Sequence, residues 1–265
     1  MLSYRIQGRG RPLLLIHGWG VTHSVWKRLT PLLARHFQTI LVELPGLGAS
    51  ASEMPAEPYY EACAESLEKL REALGVTRWS LLSYSVGTLV SEAYLRKYPE
   101  CVERAAFVCP IHIGGRWRMV LKAARWIDAH NDHSLAWLIT GWRLWALVQA
   151  LGFNFRGSPG AVIWTQEIAR QPVAHLKRIL LETPGDGCAP YLSATTMRIP
   201  ELFVWGLRDL MCVRPARAGP HDVFLPINHG APESDPGAVA SVVVPFLTAS
   251  GLDEAAVSDQ CEVAG

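Results

Sequence analysis

Ser80-Leu81-Leu82-Ser83-Tyr84-Ser85-Val86-Gly87 is the stretch from which the fold can be read. An apolar run ends in small residues and passes at once into a helical pattern. Leu89, Val90, Ala93 and Tyr94 share one helix face, and Pro99 ends it. A strand therefore turns sharply into a helix at Ser85. That geometry lifts one side chain out of a sheet and aims a helix N-terminus at whatever binds there. The G-x-S-x-G spacing of such turns keeps Ser85 and Gly87 here, with Ser83 in place of the first glycine. Alone, S-x-S-x-G has little specificity, and an ordinary helix N-cap explains Ser85 as well.

The surroundings supply the missing context. Short β-rich runs alternate with helical patterns, the signature of a parallel sheet with helices on its faces. The strands are expected at Pro12–Ile16, Gln38–Val42, Trp79–Ser83, Arg104–Cys109, Glu201–Trp205 and Asp222–Ile227. Several are apolar at successive positions, as strands buried on both faces must be. Ser24 is expected to cap a first helix with Trp26, Leu29, Leu32 and Leu33 inward. A second helix runs from Tyr59 to Leu74 and stops at Gly75, and a last one runs from about 237 to 247.

Between Ile111 and Ile199 the alternation breaks. This block reads as helical, is net basic against a net acidic remainder, and holds six of the ten tryptophans. The expected division is therefore a core at 1–110 and 200–249, a helical cap at 111–199, and a disordered polar tail at 250–265. Ser134–Phe153 has 14 apolar residues in 20, but Arg143 falls near its middle. A buried or ligand-facing helix fits it better than a membrane span. Arg118, Lys122 and Arg125 share a face of the preceding helix, which reads first as a solvated face and second as a dock for an anionic carrier or an acidic acyl tail.

The chain has 265 residues and a net charge of +1, so it lacks the basic footprint of a nucleic-acid binder. Its six cysteines show no paired spacing and no zinc pattern, and an apolar leader is missing ahead of Gly8, Gly10 and Pro12. Reduced thiols and a cytoplasmic location are the expectation.

Further turns follow the other strands. His17-Gly18-Trp19-Gly20 follows the first, and Glu43-Leu-Pro45-Gly46-Leu-Gly48-Ala-Ser50 follows the second. Gly206-Leu-Arg-Asp209 and Asn228-His229-Gly230-Ala-Pro232 follow the last two. A serine, an acid and a histidine thus occur in order, each just past the carboxyl end of a parallel strand. They would meet on one sheet edge. The backbone N–H groups of Trp19 and Val86 could form a two-donor hole there for a developing oxyanion. His17 is expected to lock its own turn rather than to move protons.

In these motifs, from about Pro12 to Leu247, the sequence resembles the α/β-hydrolase superfamily. The resemblance implies a doubly wound, mostly parallel sheet with an inserted helical cap. It implies Ser85 as nucleophile, His229 as general base and later acid, and Asp209 as the group that orients His229. Trp19 and Val86 would supply the oxyanion hole. A serine at position 85 disfavours the dehalogenases and epoxide hydrolases that attack with an aspartate. The expected activity is cleavage of a carboxylic ester with a hydrophobic acyl or alkyl group, without cofactor or metal. Trp137, Trp142 and Trp145 are the expected substrate-pocket residues. The HGWG turn and the basic helix also resemble carrier-linked methyl ester esterases. Cleavage of a lactone, amide or carbon–carbon bond by the same triad remains open, as do a binding protein with negligible turnover and a membrane-associated lipase. Ser83, Thr88, Glu43 and the short interval from Asp209 to His229 depart from the family pattern.

Overall fold

The computed structural model describes residues 1–56, 58–111, 115–152, 166–183, 199–209, 212, 214–215 and 218–249. Seven strands form one sheet in the order β1-β3-β2-β4-β5-β6-β7. They are β1 (Tyr4–Gln7), β2 (Arg11–Ile16), β3 (Phe37–Val42), β4 (Trp79–Tyr84), β5 (Val102–Val108), β6 (Glu201–Gly206) and β7 (Asp222–Leu225). β1 runs antiparallel to β3, and every other pairing is parallel. The six strands expected from the sequence all form, with shifted ends: β5 starts two residues earlier and β7 stops at Leu225. β1 is an addition. Its four residues are all exposed, so no buried face marks it in the sequence, and it is held by backbone pairing along the edge.

Burial explains the apolar runs. Leu13, Leu14, Leu15 and Ile16 are all fully buried although successive side chains of β2 point to opposite faces, so helices cover both sides. The helices with described bounds are α1 (Thr30–Leu33), α2 (Tyr59–Ala73), α3 (Gly87–Lys97), α4 (Gly115–His130), α5 (Asp132–Gly152), α6 (Val173–Glu182), α7 (Ala231–Ser234) and α8 (Pro236–Thr248). α2 packs on α3, which lies against β2, β4 and β5, while α1 packs on α8, which lies against β5 and β6. Gly75 has φ +65, the left-handed conformation of a helix-ending glycine.

One expectation for this region needs correcting. Ser24 does not cap a regular helix. A 3-10 turn at His23–Trp26 is capped by Thr22, whose hydroxyl accepts the Ser24 N–H, and the short α1 follows separately. Trp26, Leu29 and Leu33 are nevertheless buried, so the apolar spacing reported burial correctly while overstating helix length.

In the inserted block, α4, α5 and α6 pack on one another, and α6 reaches α2 of the core. Several side chains join the block to the turns above β2 and β3. Thr22 Oγ1 donates to Glu167 Oε2 at 2.7 Å, and Trp19 Nε1 donates to Leu176 O at 2.9 Å. Gly48 N donates to Gln171 Oε1 at 2.8 Å. The tail expected at 250–265 lies outside the described residues.

Candidate active site

The strand-to-helix turn forms as the sequence requires. Ser85 follows β4 directly at φ +54, a left-handed conformation that few non-glycine residues adopt. Its N–H donates to Val108 O at 3.1 Å, and its own carbonyl accepts from Thr88 N at 2.9 Å and from Thr88 Oγ1 at 2.6 Å. Thr88, a departure from the family pattern, is thus part of what holds the strained residue. Gly87 is required by contact: a Cβ there would sit 2.4 Å from His17 O and 2.6 Å from Ile16 O. α3 can start this close to β2 only without a side chain at that point.

Three side chains converge at the carboxyl edge of the sheet. Ser85 Oγ lies 2.9 Å from His229 Nε2 and donates to it. On the other side of the ring, His229 Nδ1–H donates to Asp209 Oδ2 at 2.8 Å. Asp209 Oδ1 accepts the Cys212 N–H at 3.1 Å. The Asp209 side chain is almost wholly buried, and His229 keeps a small opening to solvent. Gly206 gives β6 room to turn, because a Cβ there would meet Ile227 O at 2.7 Å and Asp209 Cβ at 2.9 Å. The short interval between Asp209 and His229 does not pull them apart. β6 and β7 pair directly, and no helix lies between them among the described residues.

Two cysteines flank this series, and sequence reasoning gave them no role. Cys109 follows β5 at φ +47 and is fully buried. Burial, and then the charge and hydrogen bonding of Asp209, push its thiol well above the usual range, so it is a protonated donor beside that carboxylate. Cys212 Sγ lies 3.3 Å from Cys109 O and 3.5 Å from His229 Nδ1. Cys109, Asp209 and His229 could offer a cation three ligand atoms within 4.8 Å of one another, but Nδ1 already serves the carboxylate. The available signal was topological: both cysteines come after neighbouring parallel strands, at the same end as Asp209.

The turn after β2 closes the other side. A Cβ on Gly18 would approach Ser85 Cβ to 2.9 Å, so His17-Gly18-Trp19 passes directly beside the serine. His17 is fully buried and accepts the Leu44 N–H on Nε2 at 3.0 Å, with Nδ1 2.9 Å from Gly18 O. The Gly18 contact locks its own turn, the role expected of it, and the Leu44 contact also ties that turn to the one after β3. Burial lowers its pKa to about 4, so it carries no charge at neutral pH. Glu43 receives the Ala49 N–H and pairs with His23, which holds the turn after β3. No acceptor among the described residues takes the backbone N–H of Trp19 or of Val86.

The expected substrate-pocket tryptophans separate. Trp142 packs on Trp19 with ring centroids 5.9 Å apart. Trp137 is 74% exposed and lines a shallow groove with Trp126 on the outer side of α4 and α5. Five residues along a helix is about 140° around it, so Trp137 and Trp142 cannot face the same way. The Trp145 side chain lies outside the described residues. Arg118 and Lys122 are exposed, whereas Arg125 donates to Leu181 O at 3.1 Å and to Thr183 O, so it fastens α4 to the end of α6.

Fold and site together define a doubly wound α/β protein whose ligand edge carries a hydrogen-bonded Ser–His–Asp series. The family described as alpha/beta hydrolase fold matches residues 11–176. The chain belongs to that family, and it is a hydrolase. It is 28% identical over 250 residues to the pimeloyl-[acyl-carrier protein] methyl ester esterase of Vibrio cholerae, covering 88% of this chain and 87% of that one. It is 36% identical over 186 residues to the Vibrio vulnificus protein of the same name, covering 69% of this chain and 65% of that one. Among solved structures, a thermophilic esterase from Thermogutta terrifontis superposes with a TM-score of 0.73 at 22% identity, covering 93% of this chain and 92% of that one.

Proposed function

We propose that the protein hydrolyses carboxylic esters of a hydrophobic acyl or alkyl group through an acyl-enzyme on Ser85. The observation that carries this reading is the unbroken series from Ser85 Oγ through His229 to Asp209, with contacts of 2.9 and 2.8 Å. A serine hydroxyl is a weak nucleophile until a base accepts its proton, and His229 Nε2 is within reach to do so. Asp209 fixes the tautomer with the proton on Nδ1 and stabilises the imidazolium once it forms. As Ser85 Oγ attacks the carbonyl carbon, the carbonyl oxygen becomes an oxyanion. The Trp19 and Val86 N–H groups, free of other described acceptors, receive it. His229 then gives its proton to the leaving alcohol, and water, activated by the same base, releases the acid. Apart from the water that deacylates Ser85, the steps use side chains and amides of this chain.

The substrate reading rests on the inserted block. Trp142, packed against the Trp19 turn, puts an apolar wall beside the ligand edge, which suits an alkyl or acyl chain. The two Vibrio relatives are named for a carrier-linked methyl ester, and a small carrier-linked ester is therefore the first natural substrate to try. Intact-mass labelling with a fluorophosphonate tests the nucleophile. One adduct on the wild type, absent from Ser85→Ala, is expected, followed by turnover across esters of rising acyl length. A folded wild type that takes no adduct would overturn the reading and leave a binding protein in its place.

A further inference from the structure

The outer face of the α4–α5 hairpin carries large apolar side chains that no other described residue covers. Met119, Trp126, Trp137, Leu138 and Leu144 are 72, 63, 74, 57 and 59% exposed. Met119 and Trp126 are two turns apart on α4, and Trp137 and Leu144 are two turns apart on α5. They form two seams on helices that pack side by side, with a shallow groove between Trp126 and Trp137. Isolated exposed apolar residues are ordinary, but a contiguous patch of this kind marks a contact surface.

Among the described side chains, the exposed charges on the same hairpin are of one sign. Arg118 and Lys122 are exposed along the first half of α4. No exposed carboxylate occurs among the described side chains of the hairpin, since Asp128 is taken by Lys177 at 2.6 Å. We propose that this face docks on the headgroup layer of an anionic lipid bilayer. Tryptophan suits that layer, because its ring is apolar and its N–H is satisfied by water or headgroups. The Arg118 and Lys122 stems can lie along the apolar boundary while their heads meet lipid phosphate. The hairpin would lie on the bilayer rather than cross it, since no helix of the described residues is long and apolar enough to span. A second copy fits less well. An isologous contact through this face would bring two sets of Arg118 and Lys122 together with no exposed carboxylate among the described hairpin side chains to pair them. α5 also carries Trp142, so one helix joins the docking face to the Trp19 turn.

Sedimentation with sucrose-loaded vesicles tests this without any measurement of ester turnover, so its failure and the failure of the Ser85 reading are distinguishable. Wild type is expected to partition at least about tenfold more strongly onto equimolar phosphatidylcholine and phosphatidylglycerol than onto phosphatidylcholine alone. Trp126→Ser with Leu138→Ser should lower that binding by about tenfold or more, and Arg118→Glu with Lys122→Glu should abolish the preference for anionic lipid. All four positions are exposed, so thermal melting should confirm that both variants fold. The proposal is overturned by absence of wild-type binding to anionic vesicles, or by binding that the Trp126→Ser, Leu138→Ser variant retains. It is also overturned by a lipid-free dimer in sedimentation equilibrium that the same variant dissociates, which would assign the face to a second copy.

Discussion

Replacing Ser83 by alanine should stabilise the protein. Ser83 lies in β4, fully buried, between Ile16 of β2 and Phe107 of β5 in register. Its hydroxyl has no hydrogen-bond partner among the described residues, whereas turns of this kind usually have glycine at the position. An unsatisfied buried hydroxyl costs about 1–3 kcal/mol. Ser83→Ala removes that oxygen and keeps the Cβ around which β2 and β5 already pack. The void left is smaller than a methyl group, so roughly 1 kcal/mol at most is returned. The net expectation is a gain of about 1–2 kcal/mol, or roughly 2–6 °C in melting temperature for a chain of this size. Ser83→Gly should gain less, because glycine in a strand adds unfolded-state entropy. Differential scanning calorimetry of the three proteins provides the comparison, with ester turnover expected to stay within about twofold for Ser83→Ala because the Ser85 turn is untouched. A melting temperature lowered by alanine would refute the reasoning. It would mean that the hydroxyl has a partner and that serine was retained for it.

Gly87→Ala should do the opposite: its Cβ would press on the Ile16 and His17 carbonyls, pushing α3 and Ser85 away from the Trp19 turn. A loss of about 1–3 kcal/mol in stability and at least about a hundredfold in kcat/KM is expected from urea titration and steady-state kinetics. His17 is buried and neutral with a pKa lowered to about 4 from 6.5. Its contribution is present above pH 6.5 and lost as pH falls from there towards 4, at up to about 1.4 kcal/mol per pH unit, so the wild-type urea midpoint should drop relative to that of His17→Gln across that window. Glu201, at the start of β6, is pushed up to about 8 by burial and then by Glu92, and its Oε1 has no partner among the described residues. A raised carboxyl pKa means that native protein holds the proton longer, so stability falls as pH rises from 4.5 to 8. Glu201→Gln should flatten that fall and gain on the order of 2 kcal/mol at pH 8, read as the midpoint difference between the two proteins.

What the sequence reveals here is set by whether a feature leaves its mark along the chain or only across it. Leu13–Ile16 and Leu81–Leu82 are legible because burial on both sheet faces forces contiguous apolar residues. β1 is not, because an exposed edge strand is stabilised by backbone bonds that any residue can make. Ser85, Asp209 and His229 could be read together because a parallel sheet delivers every strand's carboxyl end to one edge. Their order and turns therefore carry spatial information that their separations of 124 and 20 residues do not. The same argument should have joined Cys109 to Cys212, which follow the adjacent strands β5 and β6. Counting cysteines for paired spacing looked along the chain for a contact that lies across it. The tryptophans fail for a different reason. Composition showed an aromatic block, but a helix distributes its residues around an axis, and only the packing of α4, α5 and α6 decides which direction is inward. Trp142 turns towards Trp19 and Trp137 towards solvent, so one cluster in the sequence becomes two surfaces, one against the ligand edge and one outside it.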